Sequence, residues 1–377
     1  MGKNSKVWVT LLPAAKRCDL TKDVGMIPYL MFKNHGYDAR LVCYKNDHDS
    51  SGLQDVKGLK LQILRKRFNP VLDGALYLLI NGRNIDVLNL YHIGMKRLLL
   101  WLAVFRLVNR RGIVYLKLDM DYPGIEKLEA ESNLKKIIRK CIFQKMDLIT
   151  AESREICNRM NKIYDIDVGY IPDGFYFWTK SKERKKEKIL LTVGRLGTRQ
   201  KATEILLQSF ANTASSHIYQ LNLIGTIEKQ FIRYVRDFFK SYPELKDRVI
   251  FKGAILNKSK LQEEFEKASI FLLPSRWESF GIVLAEAASC GDFLIVSDAV
   301  PSKNDFIVGQ EFGEICEAEN VQDLADKILT AIHIVEDQPD IHLTIREYAK
   351  ENFAWEKIVC RLNIALKALE KGENSVA

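Results

Sequence analysis

The feature that most constrains this chain is an alternation kept along its whole length. Apolar runs of four to six residues recur between stretches of helical periodicity. Strands joined by helix-length crossovers run parallel, so the order predicts an α/β architecture with parallel sheets. In the first half the strand candidates are Val7–Leu12, Ala39–Tyr44, Val87–Tyr91, Ile113–Leu118 and Leu148–Ala151, with helical patterns such as Val24–Asn34 and Lys96–Asn109 between them. Thr179–Lys188 then breaks the pattern, because Ser181 to Lys188 contains no apolar residue, and it reads as a solvated interdomain linker. Strand candidates resume at Ile189–Val193, Gln220–Ile224, Val249–Lys252, Ile270–Leu273 and Phe293–Ser297. The expectation is two Rossmann-like domains facing a central cleft, over residues 1–180 and 181–355. A C-terminal helix over about 356–377 is expected to pack back on the first.

Two cores are affordable at 377 residues, and 47% apolar with 28% charged residues excludes disordered and coiled-coil classes. Seven cysteines without a C-x-x-C pair argue for reduced thiols in a cytoplasmic setting, and against a disulfide scaffold or a Cys-rich zinc site. The run Val7–Ala15 is broken by Pro13 and leads into Lys16-Arg17, so a first strand is the better reading than a signal peptide. The longest apolar stretch, Leu98–Val108, is interrupted by Arg106 and falls short of the roughly 20 residues that span a bilayer. Charge is uneven. Residues 1–180 carry 30 lysines and arginines against 19 acidic residues, whereas residues 181–377 carry 27 against 29. An anionic partner is therefore expected for the first half alone.

Two segments carry chemistry. Trp277-Glu-Ser-Phe-Gly-Ile-Val-Leu-Ala-Glu286 leaves the carboxyl end of a strand candidate. Ser279 reads as an N-cap and Phe280–Ser289 as a helix, which would present the N–H groups of Phe280, Gly281 and Ile282 to an anion. Glu278 and Glu286 then bracket a phosphate-binding turn. That pattern suits a ligand with hydroxyls on both sides of a diphosphate, a description that fits a nucleotide sugar. The second segment, Val193-Gly-Arg-Leu-Gly-Thr-Arg-Gln-Lys201, also ends a strand, where open α/β sheets bind ligands. Gly194 permits a sharp turn, while Arg195 and Lys201 bring two cations suited to a diphosphate.

These residues resemble the retaining glycosyltransferases of family 4, which have the GT-B fold. The Glu-x7-Glu motif is met by Glu278 and Glu286, the Gly-Arg…Lys segment by Gly194, Arg195 and Lys201. The turn Tyr170-Ile-Pro-Asp-Gly174 resembles the family's Ile-Pro-Asn-Gly, and the likeness extends over roughly residues 145–325. The resemblance implies a metal-independent retaining transfer of a sugar from a nucleotide-diphosphate sugar, UDP favoured, with the nucleotide sugar a co-substrate and no cofactor or metal expected. Glu286 would hold the donor ribose, Glu278 would face the donor sugar, Arg195 and Lys201 would bind the diphosphate, and the loop at Gly253 would pass the base. On the acceptor side the first loop offers only Gly25, and the family's usual His is replaced in Tyr115–Asp121, leaving Lys117 or Asp119 for that place. His92 is a further candidate, weighed evenly against a structural role. The implied acceptor is a saccharide, with a lipid-linked intermediate of bacterial surface polysaccharide favoured, and a place on the inner face of the cell membrane follows.

Other readings compete. Asp119-Met-Asp121 has the D-x-D spacing of a metal motif, but Asp47/Asp49 and Asp165/Asp167 repeat it, so the pattern is cheap. Glu278 and Glu286 could be solvated acids, and Arg195 and Lys201 surface cations. His217, His333 and His342 read as structural or surface residues, and Cys290 as a packed thiol rather than a nucleophile. The segment 96–111 reads as a core helix with basic ends. Lys135–Lys140 with Arg65–Arg67 supplies basic surface, for which anionic lipid is a candidate partner. A catalytically silent GT-B subunit that binds a protein or glycan is the alternative function, with a sugar-nucleotide epimerase behind it. A nucleic-acid binder is disfavoured, because no basic-aromatic cluster or binding motif is present.

Overall fold

A computed structural model describes residues 5–45, 56–91, 94–177, 184–309 and 312–372. The chain divides into two compact units. One holds residues 1–120, 124–174 and 355–377, the other 121–123 and 175–354. In chain order the first half comprises β1 (Val7–Leu11), α1 (Asp23–His35), β2 (Asp38–Tyr44), β3 (Lys60–Leu64), α2 (Pro70–Asn81), β4 (Val87–Tyr91), α3 (Met95–Val108), β5 (Ile113–Lys117), α4 (Tyr122–Glu129), α5 (Asn133–Phe143), β6 (Leu148–Ala151), α6 (Arg154–Tyr164) and β7 (Gly169–Tyr170). All pair in parallel, in the order β3-β2-β1-β4-β5-β6-β7. The central strands β4, β5 and β6 are buried at every position, as expected of a sheet covered on both faces.

The second unit comprises β8 (Ile189–Val193), α7 (Thr203–Thr213), β9 (Gln220–Ile224), α8 (Phe231–Ser241), β10 (Val249–Gly253), α9 (Lys258–Lys267), β11 (Ile270–Leu273), α10 (Ile282–Cys290), β12 (Phe293–Ser297), α11 (Lys303–Phe306), β13 (Gly313–Cys316), α12 (Val321–Asp337) and α13 (Ile341–Phe353). Its sheet is also parallel, in the order β10-β9-β8-β11-β12-β13. Both units are thus Rossmann-like, and each has one point where strand order reverses. That point lies between β1 and β4 in the first unit and between β8 and β11 in the second.

The last helix, α14 (Trp355–Glu370), belongs to the first unit. Its buried Trp355, Ile358, Val359, Leu362 and Leu366 recur at helical spacing and form one stripe. Polar contacts fix it: Tyr37 Oη donates to Asn363 Oδ1 (3.4 Å), and Lys6 Nζ to Glu370 Oε1 (2.6 Å).

Several details differ from the sequence expectation. β3 and β13 carry no clean apolar run and escape notice. Both are edge strands, half-exposed and relieved of the need to be apolar on two faces. The charged run before β8 is not simply solvated. From its described part, Lys186 Nζ reaches the fully buried Asp292 Oδ1 (2.5 Å), and the Glu187 N–H donates to Lys267 O (2.8 Å). In α5, Arg139 is buried and bonded to Glu131 through both Nε (3.0 Å) and Nη2 (2.6 Å), so it adds nothing to the basic surface. Helix α3 is a core helix on one face only, burying Leu98, Trp101, Leu102 and Phe105. No helix among the described residues is long and apolar enough to cross a membrane.

Candidate active site

The site of the second unit is built at its strand-order reversal, where open α/β sheets bind ligands and where the loops leaving β8 and β11 meet. Gly194 ends β8. A Cβ there would stand 3.1 Å from Lys201 Cε and 3.3 Å from its Cδ, so the bare backbone lets the lysine side chain lie across it. Lys201 then ion-pairs with Glu278 from the β11 loop. Gln200 ties the same parts together: its Nε2 donates to Trp277 O (3.0 Å) and Glu278 Oε2 (3.3 Å), while its Oε1 accepts from Arg195 (3.1 Å). Arg195 is exposed and has no carboxylate at ion-pair distance among the described residues. Behind this cluster Arg276 donates to Arg199 O (2.7 Å), Glu204 (2.6 Å) and Glu319 (2.5 Å), and its N–H to Gln200 O (2.8 Å). The two loops are therefore one laced unit.

Backbone geometry sharpens the picture. Ala202, fully buried, sits in the left-handed region (φ 47°) at the start of α7, a strained position for a residue with a Cβ. It turns the chain directly after Lys201. The helix after Glu278 begins later than expected: Gly281, left-handed at φ 82°, is its N-cap, and α10 runs Ile282–Cys290. Ser279 is not the cap and Phe280 is not helical. Phe280 is instead fully buried against Phe306 and Phe353, with ring centroids 5.1 and 6.1 Å away, and that packing overrides the local capping preference. The donors without an intrahelical acceptor belong to the first turn from Ile282, which remains a place for negative charge.

Glu286 lies one turn into α10, half-buried on the wall of a cleft of about 300 Å³. Phe175, Phe177, Lys258 and Gln262 line the same cleft. Burial pushes the Glu286 carboxyl above its usual range, against the pull of Lys258. Gly253 ends β10 in the left-handed region with open space where a Cβ would stand, and its carbonyl accepts from Gly225 N–H (2.9 Å).

In the first unit the acceptor-side candidates part company. Lys117 is sealed in the interior, 3.2 Å from Asp173 Oδ1, so it cannot touch an acceptor. Burial alone would lower its pKa, but Asp173, Glu152 and Asp23 outweigh that and hold it above the ordinary lysine value. The same burial raises the carboxyls of Asp23, Glu152 and Asp173, with Lys117 opposing. Asp119 is exposed beyond the end of β5. Gly25 is buried in the first turn of α1, where a Cβ would stand 2.2 Å from Leu20 O. It serves close backbone packing. His92 lies outside the described residues. Among the described residues no three His, Cys, Asp or Glu side chains gather as a metal site.

Gln200, Arg276, Lys258 and Ala202 were not singled out from the sequence. The first two stand inside the motif segments, at positions that the motifs leave open. Lys258 is one basic residue among many, and the left-handed turn at Ala202 has no sequence signal.

Residues 177–351 match the family model described as glycosyl transferases group 1. The N-acetyl-alpha-D-glucosaminyl L-malate synthase of Bacillus anthracis is 27% identical over 295 residues, 73% of each chain. Anabaena HepE, solved in complex with UDP, superposes with a TM-score of 0.74 at 16% identity, over 97% of this chain and 100% of that one. The lipopolysaccharide outer core galactosyltransferase WaaB superposes with a TM-score of 0.70 at 16% identity, over 96% and 99%. The architecture is that of the GT-B glycosyltransferases, and the family match together with the relatives' names supports a glycosyltransferase.

Proposed function

We propose that the chain is a metal-independent, retaining glycosyltransferase that moves a sugar from a nucleotide-diphosphate sugar, UDP favoured, to a saccharide acceptor. The observation that carries the reading is the Arg195–Gln200–Glu278–Lys201 cluster at the strand-order reversal, beside the first turn of α10. A departing diphosphate develops charge that Arg195, Lys201 and the α10 N-terminus are placed to meet, and preorganised stabilisation of this kind is often the largest catalytic contribution. In this account the diphosphate competes with Glu278 for Lys201, which frees the carboxylate to face the donor sugar. Glu286 holds the ribose hydroxyls. Without an evident enzymic nucleophile, attack comes from the face the diphosphate leaves. The acceptor is a lipid-linked saccharide of bacterial surface polysaccharide synthesis. The HepE complexes with UDP and UDP-glucose are in keeping with the donor class.

The test follows the anomer of the sugar released or transferred from a UDP-sugar, by proton NMR in EDTA before mutarotation. Retained configuration with activity unaffected by EDTA is expected. An inverted anomer, or activity abolished by EDTA and restored by a divalent ion, would overturn the mechanism.

A further inference from the structure

Helices α2, α3 and α5 form one layer of the first unit, because the crossovers β3→β4, β4→β5 and β5→β6 all move in one direction across the sheet, and α3 packs against both α2 and α5. An ordinary covering helix turns its apolar side inward and a polar side to water. This layer departs from that rule. On the outside, Ile80 (70% exposed), Leu99 (53%), Leu107 (75%), Leu134 (68%), Ile137 (60%) and Ile138 (45%) all face solvent. The inner faces are already filled, by Trp101 and Phe105 in α3 and by Ile142 and Phe143 in α5, so the outer residues have no place in the core. On α5, positions 134, 137, 138 and 141 make a continuous stripe opposite the buried one.

The two helices that carry most of the stripe bear charges of one sign. Neither α3 nor α5 contains an acidic residue. Arg106, Arg139 and Lys140 are paired with Asp147, Glu131 and Asp165, but Lys96, Lys135, Arg110, Arg111 and Lys145 enter no ion pair among the described residues. The basic excess of the chain also belongs to residues 1–180, where this layer lies. We infer that the outer face of α3 and α5, with the adjoining end of α2, docks on an anionic bilayer surface. The apolar side chains enter the acyl boundary and the unpaired cations meet lipid phosphates. A second protein is less well matched, since interface centres are depleted in lysine. The inference rests on this face alone, and its failure would leave the donor chemistry untouched.

Vesicle co-sedimentation of the full chain tests it, with phosphatidylcholine vesicles and with the same lipid containing about 30% phosphatidylglycerol. The wild type is expected to sediment with the anionic vesicles only, and less at high salt. Lys135→Ala with Lys145→Ala should weaken binding about 25-fold, five-fold per charge. Ile137→Ser with Ile138→Ser should abolish the fraction that survives high salt, and both variants should melt with the wild type because the changed side chains are exposed. Three results would overturn the proposal: no binding by the wild type, equal binding to neutral vesicles, or a solution dimer that Ile137→Ser dissolves.

Discussion

Lys117 offers the sharpest perturbation of the first unit. Its ammonium is fully buried and stands 3.2 Å from Asp173, with Glu152 also fully buried close by. Lys117→Met keeps the length of the side chain and removes the fully buried cation that opposes these carboxyls and Asp23. Stripping one partner from a buried pair costs about 3–5 kcal/mol, since the other charge is left uncompensated. The loss must depend on pH. Burial already holds the three carboxyls above their unfolded values, and without Lys117 they rise further. A raised folded pKa contributes stability that is full below the unfolded value and lost as pH climbs toward the folded one. The variant should therefore be hurt more at pH 8 than at pH 5. Urea unfolding followed by tryptophan fluorescence reads this unit, because Trp8, Trp101 and Trp355 are all buried within it. Lys117→Met with Asp173→Asn should recover about 2 kcal/mol or more relative to the sum of the single losses. A Lys117→Met loss under about 1 kcal/mol at pH 8, or simple additivity, would refute the reasoning.

In the second unit, burial lifts the Asp292 carboxyl to about 7 against the pull of Lys186. Its folded value lies above the unfolded one, so the stability advantage of wild type over Asp292→Asn should shrink between pH 4 and 8 by on the order of 4 kcal/mol. His217 and His342, lowered to about 4 by burial, titrate in both proteins and cancel in that difference; a flat difference would contradict it. Gly194→Ala should push Lys201 off its path and weaken nucleotide binding roughly three- to ten-fold by calorimetry, with little change in melting. Removing residues 355–377 takes five large buried side chains from the first unit, at about 1.5–3 kcal/mol each, comparable with a domain's whole stability. Trp8 and Trp101 fluorescence should then report unfolding, and a native spectrum would count against the packing described.

The parallel strands are legible because a strand buried on both faces is apolar at nearly every position. Val87–Tyr91, Leu148–Ala151, Ile189–Val193 and Ile270–Leu273 begin and end where the residues said they would. Edge strands such as Lys60–Leu64 escape that constraint and so leave no mark. The start of α10 was misplaced because Ser279 has the chemistry of a cap, while Phe280 is claimed by Phe306 and Phe353, residues far away in sequence. The same distance separates Lys117 from Asp173, so their pairing has no local signal in the sequence. The ion pair of Lys201 with Glu278 was foreshadowed only as two groups beside one crevice. Gln200 as the bridge between them needed coordinates, as did the apolar outer face of α5, since periodicity alone does not tell which of two apolar stripes turns inward.

The central claim is that the site where the β8 and β11 loops meet binds a nucleoside diphosphate without a metal. Thermal melting with UDP, GDP and ADP in EDTA, on wild type, Lys201→Ala and Glu286→Ala, tests it most directly. A ligand at about 100 times its dissociation constant stabilises the folded state by about 2.7 kcal/mol, enough to move the melting point visibly. The account predicts a clear shift with one of the three nucleotides, UDP before the others, and loss of most of that shift in both variants. No shift with any nucleotide, a shift that appears only when a divalent ion is restored, or one that both substitutions leave intact would contradict it.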